Sequence, residues 1–422
     1  MPDYKTLFKN RNFVLYSVGQ AFSQFGDRLI QIVLIGFVYK RWPGSSFQLA
    51  KLFFFTLIPS FFISPIAGVY IDRWNKRYVM IASDVFRAAA ILLIPLFFFF
   101  YENAIPIYVT IFLIFAAACF FLPARLSVIP KLVPKDDLLI ANSASSMTWV
   151  VSGIIGFSFG GVLAEWIGIR SSLFVNSAVY MLSAASFLLL VYSMKKRNYS
   201  DEPQPTPPRI KTIFRKSFFH DFTEGLKTLF YDKKIRFVTY ILFILSSLMG
   251  AMYIVGVVFI QETLESMTKD VGILGMCLFA GLLLGSFIYG KIGNKLPRTK
   301  TIFMSIFLSG IFIDIFAMGL KMTKSLWFGS ASAFLLGFFV SPIYVAATTI
   351  IHESTESNLR GRIFSSIGIL MNLGFLVFML ISSMLAEHID KIWILVACGS
   401  GFALFGIISM AVGFLKEFTF SS

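Results

Sequence analysis

Apolar runs, each about as long as a membrane is thick, alternate with short polar stretches along the whole chain. Twelve can be counted, at roughly 13–38, 50–71, 78–100, 104–123, 140–164, 172–193, 236–260, 271–292, 301–320, 325–350, 362–386 and 391–415. A helix of about 20 residues crosses the hydrocarbon layer. Within that layer only helices or closed barrels satisfy every backbone group. Barrel strands are shorter and alternate in polarity, so continuous runs of this length exclude them. The pattern predicts an all-α membrane protein of twelve transmembrane helices. The one long polar segment, 194–235, divides it into two six-helix halves, 1–193 and 236–422.

Within that linker, Asp201–Arg209 carries four prolines and is not helical throughout. Farther on, Phe219, Phe222, Leu226, Leu229 and Phe230 share one helical face. This spacing predicts a short amphipathic helix lying on the inner membrane face or against the bundle.

Composition strengthens the membrane reading. Of 422 residues, 57% are hydrophobic and 14% charged, and fifty are Phe; the mean hydropathy is +0.78. Soluble domains sit nearer 45–50% apolar. The formal charge of +15 raises the question of nucleic acid. The cations, however, lie in short loops and in the linker, with no basic globular segment among them, so no nucleic-acid partner is expected.

Lys and Arg favour the cytoplasmic side of a membrane. With both chain ends inside, the inner loops and linker hold 27 of the 37 cations. That sets an N-in, C-in orientation. The N-terminus shows no cleavable signal pattern. Cys119, Cys277 and Cys398 lie apart within apolar runs, and the three His are scattered, so neither disulfides nor a metal site is expected. Gly285-x-x-x-x-Gly290-Lys291 matches most of a phosphate-binding loop. Ile292 stands where Ser or Thr is required, and no strand precedes it, so nucleotide hydrolysis is excluded. No nucleophile–base constellation suggests an enzyme, and no cofactor is implied.

Candidate chemistry lies inside the helices. In the first run Gln20, Gln24, Asp27 and Gln31 recur at helical spacing and form a polar stripe, with Arg28 beside it. A carboxylate at membrane depth is costly unless it meets a partner or water. Asp27 therefore either takes and releases a proton along a substrate pathway or pairs structurally with Arg28, Arg87 or Arg125. Asp84 and Arg87, at i and i+3 in the third run, can meet on one face. Asp314, in the ninth run, is a second candidate proton site. In the fifth run Gly153, Gly156, Gly160 and Gly161 allow close helix packing.

The loop after the second run reads Gly68-Val69-Tyr70-Ile71-Asp72-Arg73-Trp74-Asn75-Lys76-Arg77. It resembles the loop signature between the second and third helices of the major facilitator superfamily, with Asn75 where that family usually has Gly. Gly290-x-x-x-Asn294-Lys295-x-x-Arg298 repeats the spacing in the second half, as internal repeats in such transporters do. The run Gly156-Phe157-Ser158-Phe159-Gly160-Gly161 resembles the family's antiporter signature G-P-x-x-G-G, with Phe157 replacing the Pro. The segments Pro123–Ser143 and Gly361–Ser365 resemble the drug-efflux subfamily that includes macrolide-efflux proteins and the enterobactin exporter. Pro123-Ala124-Arg125 and Gly26-Asp27 are also similar to related lysophospholipid transporters.

The resemblance implies a secondary transporter of a bacterial inner membrane, acting as a monomer. It would export amphipathic or hydrophobic small molecules in exchange for protons by alternating access, with lysophospholipid flipping as the alternative. A non-transporting receptor or scaffold on the same fold is a remote third reading. Asp84 and Arg87 can form a cytoplasmic charge cluster with Asp72, Arg73 and Arg77, structural or gating in role, and Gly68, Lys76, Arg125 and Arg362 are grouped with it; the resemblance implies that Asp72 sits by Gly361–Ser365.

Overall fold

The computed structural model describes residues 4–71, 74–100, 105–134, 137–195, 233–354 and 360–419. Fourteen α-helices lie among them. They are α1 (Tyr4–Lys9), α2 (Arg11–Arg41), α3 (Ser46–Phe62), α4 (Ser64–Ile71), α5 (Lys76–Phe100), α6 (Ile105–Val128), α7 (Leu138–Trp166) and α8 (Gly168–Lys195). After the linker come α9 (Lys233–Leu264), α10 (Lys269–Ile292), α11 (Arg298–Thr323), α12 (Leu326–Ser354), α13 (Arg360–Leu385) and α14 (Lys391–Thr419). Eleven helices among the described residues are long and apolar enough to cross a membrane. The amphipathic linker segment, with Asp72 and Arg73, lies outside the described residues.

The second predicted run is split into α3 and α4 rather than forming one helix. Two prolines account for the break. Pro59 sits inside α3 and Pro65 opens α4, and neither residue has an N–H to donate. The backbone bridges the join through Ile63 N–H to Pro59 C=O at 2.7 Å and Ala67 N–H to Ile63 C=O at 2.8 Å. Elsewhere helix ends carry recognisable stops. Gly168, at the α7–α8 junction, has φ +79°, a backbone conformation that glycine adopts without steric cost.

The chain falls into two compact units, one of 1–37 with 52–218 and one of 38–51 with 219–422. In the first, α5 packs against α6 and α8. Phe13, Tyr16, Phe121, Ala124, Phe187 and Leu190 form part of its core, all under 5% exposed. In the second, α10 packs on α12, α11 on α12 and α14, and α9 on α13. Its cores gather Ile241, Ile302, Ile306 and Ile343, and Val238, Leu242, Ala347 and Ile363.

Glycine sets how closely α10 and α12 approach. A Cβ at Gly281 would run into the Phe334 carbonyl, and one at Gly285 into the Phe338 carbonyl. Small residues allow this backbone-to-backbone packing, which dispersion then stabilises. Gly285 through Lys291 is thus the end of a continuous membrane helix, with no loop to cradle a phosphate.

Candidate functional site

Three helices of the first unit place their polar residues together. On α5, Asp84 and Arg87 stand one turn apart and form an ion pair through Nη2 and Oδ1. From α2, Asp27 Oδ1 accepts a hydrogen bond from Arg87 Nη1 at 2.6 Å. From α8, the Tyr180 hydroxyl donates to the same Asp27 oxygen at 2.6 Å. Ser183 Oγ donates to Asp84 Oδ2 at 2.6 Å, and Ser23 Oγ lies 3.1 Å from Asp84 Oδ1. Arg87 Nη2 donates to Ser23 Oγ at 2.9 Å.

Aromatic faces close the cluster. The Arg87 guanidinium lies 4.5 Å from the centroid of the Tyr180 ring and 4.9 Å from that of Phe121. Both contacts are within cation–π range. Helix α2 fits against α8 because it has no side chain at two points. A Cβ at Gly26 would lie 3.1 Å from the Tyr180 ring, and one at Gly19 would lie 2.8 Å from the Phe187 ring.

Exposure separates the two acids. The side chains of Arg87 and Asp84 are fully buried, whereas that of Asp27 is 32% exposed. With both carboxylates ionised the cluster carries one net negative charge. A proton on either acid neutralises it. A buried charge costs several kcal/mol unless it is compensated, and Asp27 is the acid that the bundle leaves partly uncovered.

The first-run stripe does not act as one face. Gln20 is locked to α7, donating to the Ser145 carbonyl at 2.7 Å and accepting from Ser145 Oγ at 2.8 Å. Gln24 is buried, and neither of its amide atoms has a partner among the described residues. Arg28 turns away from Asp27. It donates to Gln31 Oε1 at 3.2 Å and lies over the rings of Trp149 and Phe157 on α7. Arg87 is thus the cation that meets Asp27.

The fifth-run glycines pack as follows. A Cβ at Gly156 would lie 2.6 Å from Arg28 Cβ, and one at Gly160 would lie 3.1 Å from Leu29 Cδ1. Gly153 faces Arg28 Nε, and Gly161 is buried in α7.

The other expected residues lie near helix ends. Arg125 is buried near the end of α6, where its carbonyl accepts from the Tyr16 hydroxyl at 3.3 Å. Arg77 is buried at the start of α5, with Nη1 3.5 Å from Met194 Sδ. Lys76 begins α5. Gly68 is near the end of α4 and Arg362 near the start of α13. Asp72 and Arg73, and the side chain of Arg362, lie outside the described residues.

In the second unit, Asp314 on α11 accepts from Ser400 Oγ of α14 at 2.8 Å. Its other oxygen has no hydrogen-bond partner, and no cation pairs with it among the described residues. No group of three or more His, Cys, Asp or Glu side chains suited to a metal ion comes together among the described residues.

Tyr180, Ser23 and Ser183 were not singled out by the sequence reading. Their signal was present: Asn176, Tyr180, Ser183 and Phe187 recur at i, i+4, i+7 and i+11 of α8, a polar-aromatic face within an apolar helix.

The sequence model of the Major Facilitator Superfamily matches residues 16–266 and 239–419. An uncharacterized MFS-type transporter of Bacillus subtilis, YkuC, is 26% identical over 85% of this chain and 81% of its own length. Macrolide efflux protein A of Streptococcus pyogenes is 24% identical over 90% of this chain and 91% of its own. Among solved structures, a bacterial homologue of the iron transporter ferroportin in the inward-facing state superposes with a TM-score of 0.73 at 14% identity. It covers 94% of this chain and 98% of that one. At that identity the likeness is one of fold.

Proposed function

The chain belongs to the major facilitator superfamily, and from that premise we propose that it exports amphipathic or hydrophobic small molecules in exchange for protons. It is a multi-pass membrane transporter and not an enzyme. The similarity to macrolide efflux protein A supports the export direction and an apolar substrate body. The bodies that exchange access are 1–193 and 236–422, joined by 194–235, with both chain ends in the cytoplasm of a bacterial cell. The protein works as a monomer. The loop motif Gly68–Arg77 steadies the cytoplasmic side.

The observation that carries the coupling is the sharing of Arg87 by two carboxylates, one sealed and one partly exposed. Protonation of Asp27 leaves the Arg87–Asp84 pair intact and removes the net charge of the cluster. Its deprotonation restores that charge inside a low-dielectric bundle, where fields act strongly. Proton occupancy at Asp27 therefore changes the energy of the contacts among α2, α5 and α8. Asp314 is the second candidate, and no cation pairs with it among the described residues.

The test uses purified protein in proteoliposomes that enclose a pH-sensitive dye. Addition of a substrate should drive proton movement across the membrane. A substrate that is carried with no change in internal pH would remove proton coupling from the account.

A further inference from the structure

The first unit holds two membrane-depth arginines, and their surroundings differ. Arg87 has two carboxylates. Arg28, at the middle of α2, has none among the described residues. Its neighbours are Gln31, at 3.2 Å, and two rings. The guanidinium carbon is 5.4 Å from the centroid of Trp149 and 5.6 Å from that of Phe157. Asp27, its chain neighbour, is already engaged with Arg87 and Tyr180 on the other side of the helix. Adjacent residues point about 100° apart on a helix, so each serves a different partner helix.

The slot around Arg28 is shaped by α7. Trp149, Gly153 and Phe157 follow at i, i+4 and i+8, on one face. The two rings stand a turn to either side of Gly153, whose Cβ position lies 4.0 Å from Arg28 Nε. One turn farther along the same face Gly156 lets the Arg28 stem pass, since a Cβ there would lie 2.6 Å from Arg28 Cβ. Phe157 is the residue that replaces Pro in the antiporter-like segment, and it supplies one wall. Trp149 is 45% exposed, so the slot is open on one side.

A guanidinium has five N–H donors. Arg28 uses one of them in the hydrogen bonds described. Ring faces hold the flat cation without consuming its N–H edge. One turn back on α2, Gln24 is 6% exposed, and both atoms of its amide lack a partner among the described residues. The slot thus offers an uncompensated cation and apolar ring walls, and one turn back on the same helix is a buried amide with no partner among the described residues. An oxyanion satisfies the cation and the amide, and an apolar chain satisfies the ring walls.

We propose that Arg28, with Gln24 and Gln31, binds the oxyanion headgroup of an amphipathic substrate, and that Trp149 and Phe157 pack beside its apolar portion. The inference rests on the transport reading above and narrows the substrate to a carboxylate- or phosphate-bearing amphiphile. Both a soluble amphiphile and a lysolipid with an exposed phosphate carry this chemistry.

Binding is measured by titration calorimetry on protein in phosphatidylcholine nanodiscs, with empty nanodiscs as the reference. No proton gradient is present, so a failure of coupling does not affect the result. The probes are octyl phosphate, octyltrimethylammonium and octanol. Octyl phosphate should bind at least about tenfold tighter than octyltrimethylammonium, as a charge-assisted bidentate contact requires. Arg28→Gln should bring the two together, and Arg28→Lys should keep part of the preference. Displacement of octyl phosphate by lysophosphatidic acid but not by lysophosphatidylcholine assigns the headgroup to a lipid. No displacement by either assigns it to a soluble amphiphile. Equal or tighter binding of octyltrimethylammonium by the unaltered protein would overturn the proposal without recourse to any variant. An anion preference that survives in Arg28→Gln would do the same.

Discussion

In the first unit, α5 meets α8 through charged groups of α5 held by hydroxyls and a ring of α8, and in the second α11 meets α14 through glycine. Asp84 and Arg87 are fully buried where α5, α8 and α2 converge, held by Ser23, Ser183 and Tyr180. On α11, Gly310 faces the backbone of Gly399 and Ala403, and Gly406 of α14 faces that of Phe307. Aligning Gly68-x-x-x-Asp72 with Gly290-x-x-x-Asn294 sets Ile306 opposite Asp84 and Ser309 opposite Arg87. Ile306 is 1% exposed and Ser309 fully buried. The repeated loops have kept their spacing while the helices behind them have exchanged an ionic contact for an apolar one. The carboxylate inside α11, Asp314, stands opposite Leu92 in this register and accepts from the Ser400 hydroxyl.

The difference predicts a graded response to substitution. Arg87→Leu leaves one buried and one partly exposed carboxylate without their cation. It should cost about 3–5 kcal/mol, the range for breaking a buried pair from one side. Thermal unfolding of the purified protein checks this. Exchanging Asp27 and Asp84 for Asn in the same background should recover much of the loss, because the uncompensated charges are then gone. No recovery would mean that Arg87 contributes by packing rather than by charge.

Gly285→Leu attacks the second unit by the matching route. Its side chain would enter the Phe338 backbone, and overpacking of this kind costs about 1–3 kcal/mol. Gly160→Ala in the first unit should cost less, since its new methyl meets the movable end of Leu29. Similar losses at the two positions would remove the contrast between backbone and side-chain contact.

The smallest effect is expected at Asp314. Asp314→Asn keeps an acceptor for Ser400 and forfeits no ion pair, so the stability change should stay within about 1 kcal/mol. A loss as large as that at Arg87 would reveal a cation partner for Asp314.

The membrane helices were legible in the sequence because an apolar run of twenty residues has few other uses. The division of the second run into α3 and α4 was not read from hydropathy, which is continuous across Ile63; the prolines at 59 and 65 carried that information instead. In the site, helical spacing placed Asp84 and Arg87 on one face, as they are found. The same spacing grouped Gln20, Gln24, Asp27 and Gln31, but neighbouring helices divide that stripe among Ser145, Arg87 and Arg28. Periodicity gives the direction of a side chain from its own helix. It does not give which helix stands in that direction, so the choice among Arg28, Arg87 and Arg125 for Asp27 stayed open until the fold was known. Phe157 shows the limit of motif comparison: it departs from the proline pattern and lies against Arg28, which is far off in the sequence.

The central claim is that the partly exposed member of the Arg87 cluster, Asp27, and not Asp314 of the second unit, carries the coupled proton. Asp27→Asn and Asp314→Asn should be compared in one assay, proton movement on addition of substrate to proteoliposomes, with substrate binding measured beside it. The account predicts that Asp27→Asn binds substrate but moves no protons, whereas Asp314→Asn does both. Substrate-driven proton movement at the unaltered rate in Asp27→Asn, with its loss in Asp314→Asn, would contradict it.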